Sequence, residues 1–264
     1  MSPGFRLSLL AGTGLLLLQA CAAKEVPYVE KPVGELFNSA VTQIESNNFN
    51  EAARQFEEVE RQHPYSQWAT KAKIMAAYSY YQANKYDDAI VALDRFIQLH
   101  PAHQDTPYAY YLKGLSYYEQ ISDVTRDQKM TEQTLNTFTN LMQRFPDSTY
   151  SRDARLKTDL ARDHLGGKEM EIGRTYQRQG HYLAAINRFR SVVDNHQTTT
   201  HVPEALHRMV ESYLALGVTE EARRIAAVLG HNFQGDAWYG ESYALLEGRI
   251  GQTPAKSDPW YKLW

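Results

Sequence analysis

The chain has 264 residues, 43% hydrophobic and 22% charged, enough for one large core or a continuous stack of small ones. A net charge of −3 with no basic patch removes the electrostatic basis for nucleic-acid binding, and a single cysteine excludes an internal disulfide. No strand-like alternation is sustained, so the chain reads as all-α.

Residues 1–20 carry one basic residue, Arg6, and an apolar run centred on Leu15 to Leu18. A run this short is a cleavable leader and not a membrane span. Leu18-Gln19-Ala20-Cys21 then sets a small residue and the cysteine directly after it. This boundary resembles the bacterial lipobox, which implies cleavage before Cys21 and acylation of its thiol, with Gln19 departing from the usual small or apolar residue. Ala22 follows where some lipoproteins held at the inner membrane carry aspartate. The resemblance to lipoprotein sorting signals therefore favours the outer membrane. Residues 21–33, with Pro27 and Pro32 and no apolar period, read as a tether.

Helical hairpins follow. Ala77 and Tyr80 lie on one face of a first helix, Asn84-Lys85-Tyr86 makes a turn, and Ala89, Leu93 and Phe96 stripe a second helix that stops at Pro101. The same order occurs upstream at Ala40, Asn47-Asn48-Phe49, Ala52, Phe56, Val59 and Pro64, with the two turns 37 residues apart. A third copy has Gly114, Tyr117, Phe138, Leu141 and Pro146, separated by an insertion from Ile121 to Met130. The insertion has no apolar stripe and is expected to protrude, either as a binding loop or as a tolerated surface segment. A fourth copy has Gly173, Tyr176, Gly180, Tyr182, Ala185, Phe189 and Val192 without a closing proline. A fifth has Tyr213, Gly217, Ala222 and Leu229, with Thr219 at the turn aromatic's position. Small, aromatic, turn, aromatic, small, large, proline resembles the tetratricopeptide (TPR) repeat, whose period is about 34 residues. We therefore expect a TPR superhelix of about five hairpins, three in residues 34–150 and two, with a C-terminal capping helix, in residues 151–250.

Between repeats three and four, Tyr150 to Leu165 reads as a charged helix with an apolar set of Ala154, Leu156, Leu160 and Leu165, and Gly166-Gly167-Lys168 as a turn. That glycine pair is not a phosphate loop, since Ala161 stands where its first glycine belongs and no strand precedes it. The capping helix is expected to run to about Ile250, and residues 251–264 form a tail ending in Trp260, Tyr261 and Trp264.

In a TPR superhelix the first helix of each repeat faces inward. The inward positions of repeats one to three are Phe37, Val41 and Ile44, then Ile74, Tyr78 and Tyr81, then Tyr111, Leu115 and Tyr118. This row is apolar and aromatic, and it is a candidate groove for an extended peptide with alternating aromatic side chains; packing between neighbouring repeats is the alternative use of each tyrosine. Repeat four has Met170, Arg174, Gln177 and Arg178 instead, so the array changes character halfway and two partners are expected.

No nucleophile elbow, zinc motif, dinucleotide fingerprint or cysteine–histidine pair is present, and His100 and His103 straddle a helix-ending proline without an acidic or cysteine partner at ligand spacing. We expect a binding protein with no cofactor, no metal and no catalytic residue.

Five segments stand out beyond the generic repeat: Asp94-Arg95-Phe96-Ile97-Gln98-Leu99-His100-Pro101, Tyr110-Tyr111-Leu112-Lys113-Gly114-Leu115, Arg126-Asp127-Gln128, Phe138 through Tyr150, and Tyr182 through Arg188. Together they resemble one known family, the outer-membrane assembly lipoproteins called BamD, ComL or YfiO. The resemblance covers roughly Val26 to Leu246. It implies a non-enzymatic lipoprotein held by Cys21 at the periplasmic face of the outer membrane. Its partners would be the periplasmic domain of the barrel subunit BamA, unfolded outer-membrane β-barrel proteins, and other lipoproteins of the same complex. Asn187 and Arg188 fall in the repeat through which family members contact BamA. A TPR lipoprotein that scaffolds peptidoglycan enzymes is the alternative reading.

Overall fold

The computed structural model describes residues 30–248. Cys21, the leader, most of the tether and the terminal Trp260, Tyr261 and Trp264 lie outside the described residues. Eleven α-helices and no strand occur among the described residues. They form hairpins: α1 (Val33–Glu45) with α2 (Phe49–Gln62), α3 (Gln67–Gln82) with α4 (Tyr86–Leu99), and α5 (Thr106–Tyr118) with α6 (Lys129–Arg144). Then come α7 (Thr149–Arg178) with α8 (Tyr182–Asn195), α9 (Val202–Ala215) with α10 (Thr219–Asn232), and a last helix, α11 (Ala237–Leu246).

The odd-numbered helices touch in series, α1 to α3 to α5 to α7 to α9 to α11, while each even-numbered helix packs on the odd one before it and the odd one after it. Two layers result, an inner row of first helices and an outer row of second helices. This is the TPR superhelix.

Local chemistry sets each hairpin. In four of the five, the first helix ends on a residue in the left-handed region: Asn47 (φ 58°), Asn84 (φ 57°), Gly180 (φ 78°) and Gly217 (φ 74°). Asparagine and glycine are the residues that tolerate this conformation. The next residue's N–H then reaches back to a carbonyl five residues earlier, from Asn48 to Gln43, Lys85 to Tyr80, His181 to Tyr176 and Val218 to Tyr213, each at 2.8 to 2.9 Å. Second helices also end alike. His63, His100, Phe145, His196 and Phe233 share φ between −127° and −137° and ψ between 41° and 60°. Repeat four therefore closes like the others although no proline follows His196.

Size complementarity holds the two layers together. The inner helices carry Ala40, Ala77, Gly114, Gly173 and Val210 at one position, and the outer helices carry Phe56, Leu93, Phe138, Phe189 and Ala226 sixteen residues later, or after the insertion in repeat three. Almost all of these side chains are fully buried. A Cβ placed on Gly114 would overlap the Phe138 ring, and one on Gly173 would overlap Phe189. Repeat five inverts the pair, with the larger Val210 inside and the smaller Ala226 outside. The last pair fills less space than Ala40 with Phe56, so the small-against-large match loosens toward the C-terminal end.

Two expectations fail between repeats three and four. Gly166-Gly167-Lys168 is not a turn: α7 runs through it as one helix of 30 residues. Its first half completes the packing of repeat three against α5 and α6, and its second half pairs with α8. The glycines serve close approach, because a Cβ on Gly167 would stand 3.2 Å from the His201 ring and 3.6 Å from Val124. Nor does the insertion protrude. His164 Nε2 lies 2.8 Å from the Ser122 carbonyl, and Lys168 Nζ donates to the carbonyls of Thr125 (2.9 Å) and Arg126 (3.1 Å). Gln128 is buried and donates through Nε2 to the carbonyls of Asp123 and Arg126. The insertion replaces the left-handed turn of the other repeats and is fastened along α7. The apolar set read on α7 also needs correction: Ala154 is core, whereas Leu156 and Leu160 are 64% and 57% exposed.

Candidate protein-binding site

The predicted groove residues lie on the inner row, but they do not all offer surface. Phe37 and Ile74 are buried: Phe37 meets Phe56 edge-on at 5.2 Å and Trp68 at 4.8 Å, and Ile74 belongs to the core between α3, α4 and α5. These two are inter-repeat packing. Val41 and Ile44 are half-buried at the edge of the first core. Tyr78, Tyr81, Tyr111, Leu115 and Tyr118 are half-buried on α3 and α5.

Two further tyrosines complete the surface. Tyr150, at the start of α7, stacks on Tyr111 at 5.3 Å and tilts against Tyr108 at 5.4 Å. Tyr108 sits one helical turn before Tyr111, on the same side of α5, a spacing the sequence already offered. Tyr150 follows Tyr111 only because α7 brings it back, and no local pattern reveals that. Acidic groups anchor the ring edges, with Tyr111 donating to Asp153 at 2.6 Å and Tyr81 to Glu119 at 3.4 Å. Lys157 Nζ lies 4.9 Å from the centre of the Tyr118 ring, a cation–π distance.

Burial pushes the Tyr108 hydroxyl up to about 12, aided by crowding from Tyr78, Tyr150 and Tyr81, and burial followed by the Glu119 charge does the same for Tyr81. Burial and the bond to Asp153 drive Tyr111 upward as well. All three hydroxyls therefore remain donors across the physiological range. Beyond them, Leu160 shares an open cleft with Tyr118, Glu119 and Ile121, and Leu156 lies one turn earlier on α7. The surface is thus a set of tyrosine faces with hydrogen-bonding edges, continued by two exposed leucines. Flat rings with donor edges are the chemistry that complements an extended, partly apolar chain.

The C-terminal half is built differently. Met170 is core. Arg174 binds Glu204 through both Nε (3.0 Å) and Nη2 (2.6 Å), Arg208 bonds Glu204 at 3.3 Å and Glu211 at 2.8 Å, and Gln177 donates to Glu211 at 3.1 Å. His207, 2% exposed, closes the chain with Nδ1 2.8 Å from the Ser242 hydroxyl and Nε2 3.5 Å from Glu211. The inward charges of repeat four therefore serve the contact with repeat five and are not offered to a partner, apart from Arg178, which is exposed and bonds Thr175 at 2.9 Å.

Burial alone would raise the Glu211 carboxyl, but the His207 hydrogen bond and the Arg208 charge outweigh it and hold the group at about 2. Glu204 is lowered in the same sense, with burial opposed by Arg174. A carboxyl lowered on folding stabilises the fold above its unfolded value, near 4.5, and loses that contribution as pH falls toward the folded value. We expect the urea midpoint to fall between pH 5 and pH 2.5, with Glu211 contributing up to about 3 kcal/mol. Glu211→Gln should flatten that dependence, and an unchanged slope would show that the network does not couple to folding.

Asn187 and Arg188 lie on α8, in the outer row. Arg188 Nη1 contacts Glu169 at 3.2 and 3.4 Å, with 43% of its side chain exposed, and Asn187 is exposed beside it. Tyr176, Ala184 and Ser191 complete this shallow pocket. With the Arg188 end of the pair 43% exposed and its contacts no shorter than 3.2 Å, the pair contributes about 1 kcal/mol or less to folding, so Arg188 is available for exchange onto another carboxylate.

A two-layer array of helical hairpins with this inner and outer row is a TPR scaffold. Its relatives narrow the class. A family model described as YfiO, outer membrane lipoprotein, matches residues 29–228. The chain is 49% identical to the outer membrane protein assembly factor BamD of Caulobacter vibrioides, covering 89% of this chain and 78% of that protein. It is 42% identical to BamD of Rickettsia prowazekii (91% and 96%) and 31% identical to BamD of Neisseria meningitidis serogroup B (94% and 96%). The chain belongs to the BamD (YfiO) family.

Proposed function

We propose that this protein is a non-enzymatic subunit in the assembly of outer-membrane β-barrel proteins, holding an unfolded barrel segment on its inner tyrosine surface and BamA at Arg188. The tyrosine cluster of α3, α5 and α7 carries the reading. A terminal β-strand of a barrel protein alternates aromatic and polar side chains, and flat rings with donor edges complement both. Relatives named as outer membrane protein assembly factors support the process. The separation of the two surfaces, on opposite layers of the array, leaves room for both partners at once.

Attachment is through Cys21, acylated at the periplasmic face of the outer membrane. Lys31 is tied to the end of the first hairpin, its N–H donating to Gln62 at 2.8 Å and its carbonyl 2.7 Å from His63 Nε2. About ten residues separate Cys21 from this tie, a reach of roughly 35 Å. Repeat one is therefore the part of the array held nearest the lipid. A single acyl chain binds only marginally, so retention needs several chains or a protein partner as well.

The test is purification from outer membranes with the anchor intact. The expected result is an acylated Cys21 by mass spectrometry, release of Cys21→Ala into the soluble periplasmic fraction, and BamA in the purified complex. An unmodified Cys21 refutes the anchor, and a complex that contains cell-wall synthases without BamA refutes the assembly role.

A further inference from the structure

On each inner helix the residues six and three before the Ala40, Ala77, Gly114 and Val210 position share one stripe: Gly34 and Phe37 in α1, Lys71 and Ile74 in α3, Tyr108 and Tyr111 in α5, Glu204 and His207 in α9. Three times the next inner helix lays a ring on that stripe, two residues past its N-cap. Trp68 follows Ser66, Tyr150 follows Ser148 and Trp238 follows Asp236, and each cap accepts the ring residue's own N–H. Trp68 meets Phe37 at 4.8 Å, Tyr150 meets Tyr111 at 5.3 Å and Trp238 meets His207 at 5.0 Å. The three clusters differ in what covers the ring's other side. Tyr150 has Tyr108 at 5.4 Å, and Trp238 has the Arg208 guanidinium at 5.3 Å, itself bonded to Glu204. Trp68 has Gly34. A Cβ on Gly34 would meet nothing within 4 Å among the described residues, and Trp68 is 42% exposed. One ring is missing from the first cluster, and its place is open.

A cation stands beside the gap. Lys71 is exposed, with Nζ 5.8 Å from the centre of the same Phe37 ring that carries Trp68, and among the described residues no carboxylate pairs with it. Other lysines of the inner helices do have such a partner: Lys73 has Glu60, Lys113 has Asp94 and Lys157 has Asp153. Lys71 therefore offers a charge to something outside the described residues. Its place in the array says which kind. No inner helix precedes α1 among the described residues, so the groove ends here, and a chain laid along the tyrosines reaches its own end at this point. An ammonium favours the end that bears a carboxylate over the end that bears an amine. Tyr78 lies seven residues further along α3, about 10 Å, which is the length of three residues of extended chain.

We propose that Gly34, Phe37, Trp68 and Lys71 form the terminal subsite of the inner surface, which takes the aromatic side chain of a bound chain's last residue against Trp68 and its α-carboxylate at Lys71. The bound chain then has one direction, its C-terminus at repeat one and its upstream side chains on Tyr78, Tyr81 and Tyr111. This subsite rests on the inner surface being the peptide site, and it adds which residue of the peptide is read and which way the peptide runs.

Fluorescence anisotropy tests it, with an N-terminally labelled ten-residue peptide of alternating aromatic and polar residues that ends in phenylalanine. The expected result is that the free acid binds about tenfold or more tightly than the same peptide ending in alanine or carrying a C-terminal amide. Gly34→Phe fills the gap from within, at a position where no neighbour has to move, and should bring the phenylalanine peptide down to the alanine one. Lys71→Gln should bring the acid down to the amide. Acid and amide bound alike, or a phenylalanine preference untouched by Gly34→Phe, overturns the subsite even where Tyr78→Ala with Tyr118→Ala still weakens the peptide. A peptide indifferent to those two tyrosines as well removes the inner surface itself as the peptide site.

Discussion

Replacing Phe189 by alanine is expected to lower the unfolding free energy by about 3 to 5 kcal/mol, the range for emptying a fully buried aromatic site. Phe189 is wholly inside the core formed by α7, α8 and α9, where Met170, Val192, Leu206 and Met209 surround it, so there is no exposed route by which the cavity can fill. Its partner Gly173 gives a sharper experiment. Gly173→Ala alone gains up to about 1 kcal/mol of helix preference but drives a methyl into the Phe189 ring, and overpacking costs about 1 to 3 kcal/mol. Phe189→Leu alone leaves a void. Combined, the two substitutions recreate the Ala77 and Leu93 pair of repeat two. The double variant should be more stable than the sum of the single effects by about 0.5 to 3 kcal/mol. Urea denaturation of the four proteins measures this, and strict additivity would mean that the layers do not meet through this pair.

That pairing also explains what the sequence revealed of the fold and what it hid. Repeats one, two and four announce themselves because small and large residues recur sixteen apart around an asparagine or glycine turn, all within one local window. Repeat five is weaker for a physical reason: Thr219 stands where the turn aromatic belongs, and Val210 and Ala226 reverse which layer carries the larger side chain. Gly166-Gly167 reads as a turn because two glycines in a helix cost about 1 kcal/mol each. The helix survives because His201 and Val124 approach its backbone there, contacts that come from residues more than 30 positions away. The insertion likewise has no apolar stripe since it docks through its own carbonyls onto His164 and Lys168, a mode that leaves no hydrophobic signature.

The candidate surfaces were legible to different degrees. Inward positions on α3 and α5 are readable from register alone, and Tyr78, Tyr81 and Tyr111 lie near Tyr108, while Tyr118 sits further along against Lys157. Phe37 and Ile74 occupy the same register as Tyr111 but are covered, Phe37 by the Phe56 and Trp68 rings and Ile74 within the core of Leu93, Ala109 and Leu112. Asp153, Lys157 and Tyr150 were not legible, since their place beside α5 depends on the continuity of α7. Arg188 was identified, but its bond to Glu169 was not, and that bond changes what a substitution tests. Loss of Arg188 frees a carboxylate that is only partly buried and leaves the fold nearly unaffected.

Tyr78→Ala combined with Tyr118→Ala should weaken cross-linking to the C-terminal peptide of a barrel protein by about 30-fold or more, near the 2 kcal/mol that marks an aromatic hot spot, while BamA binding persists. Both rings are half-buried and neither fills a core void completely, so the double variant should retain its helical circular dichroism. Tyr118 also loses its contact with Lys157, whose ammonium then faces the groove without a ring beneath it. Arg188→Ala should give the converse result. A guanidinium that leaves Glu169 for a desolvated, two-point contact with a partner carboxylate carries about 2 to 5 kcal/mol of binding, and lysine at the same position restores only part of it. Peptide cross-linking should be unchanged in that variant. The two surfaces lie on different layers, joined through α7, so independence is the simple expectation. If the tyrosine variant stays folded and binds the peptide as well as the parent, the inner surface is not the substrate site. If Arg188→Ala leaves BamA bound, the arginine is an ordinary solvated charge paired with Glu169.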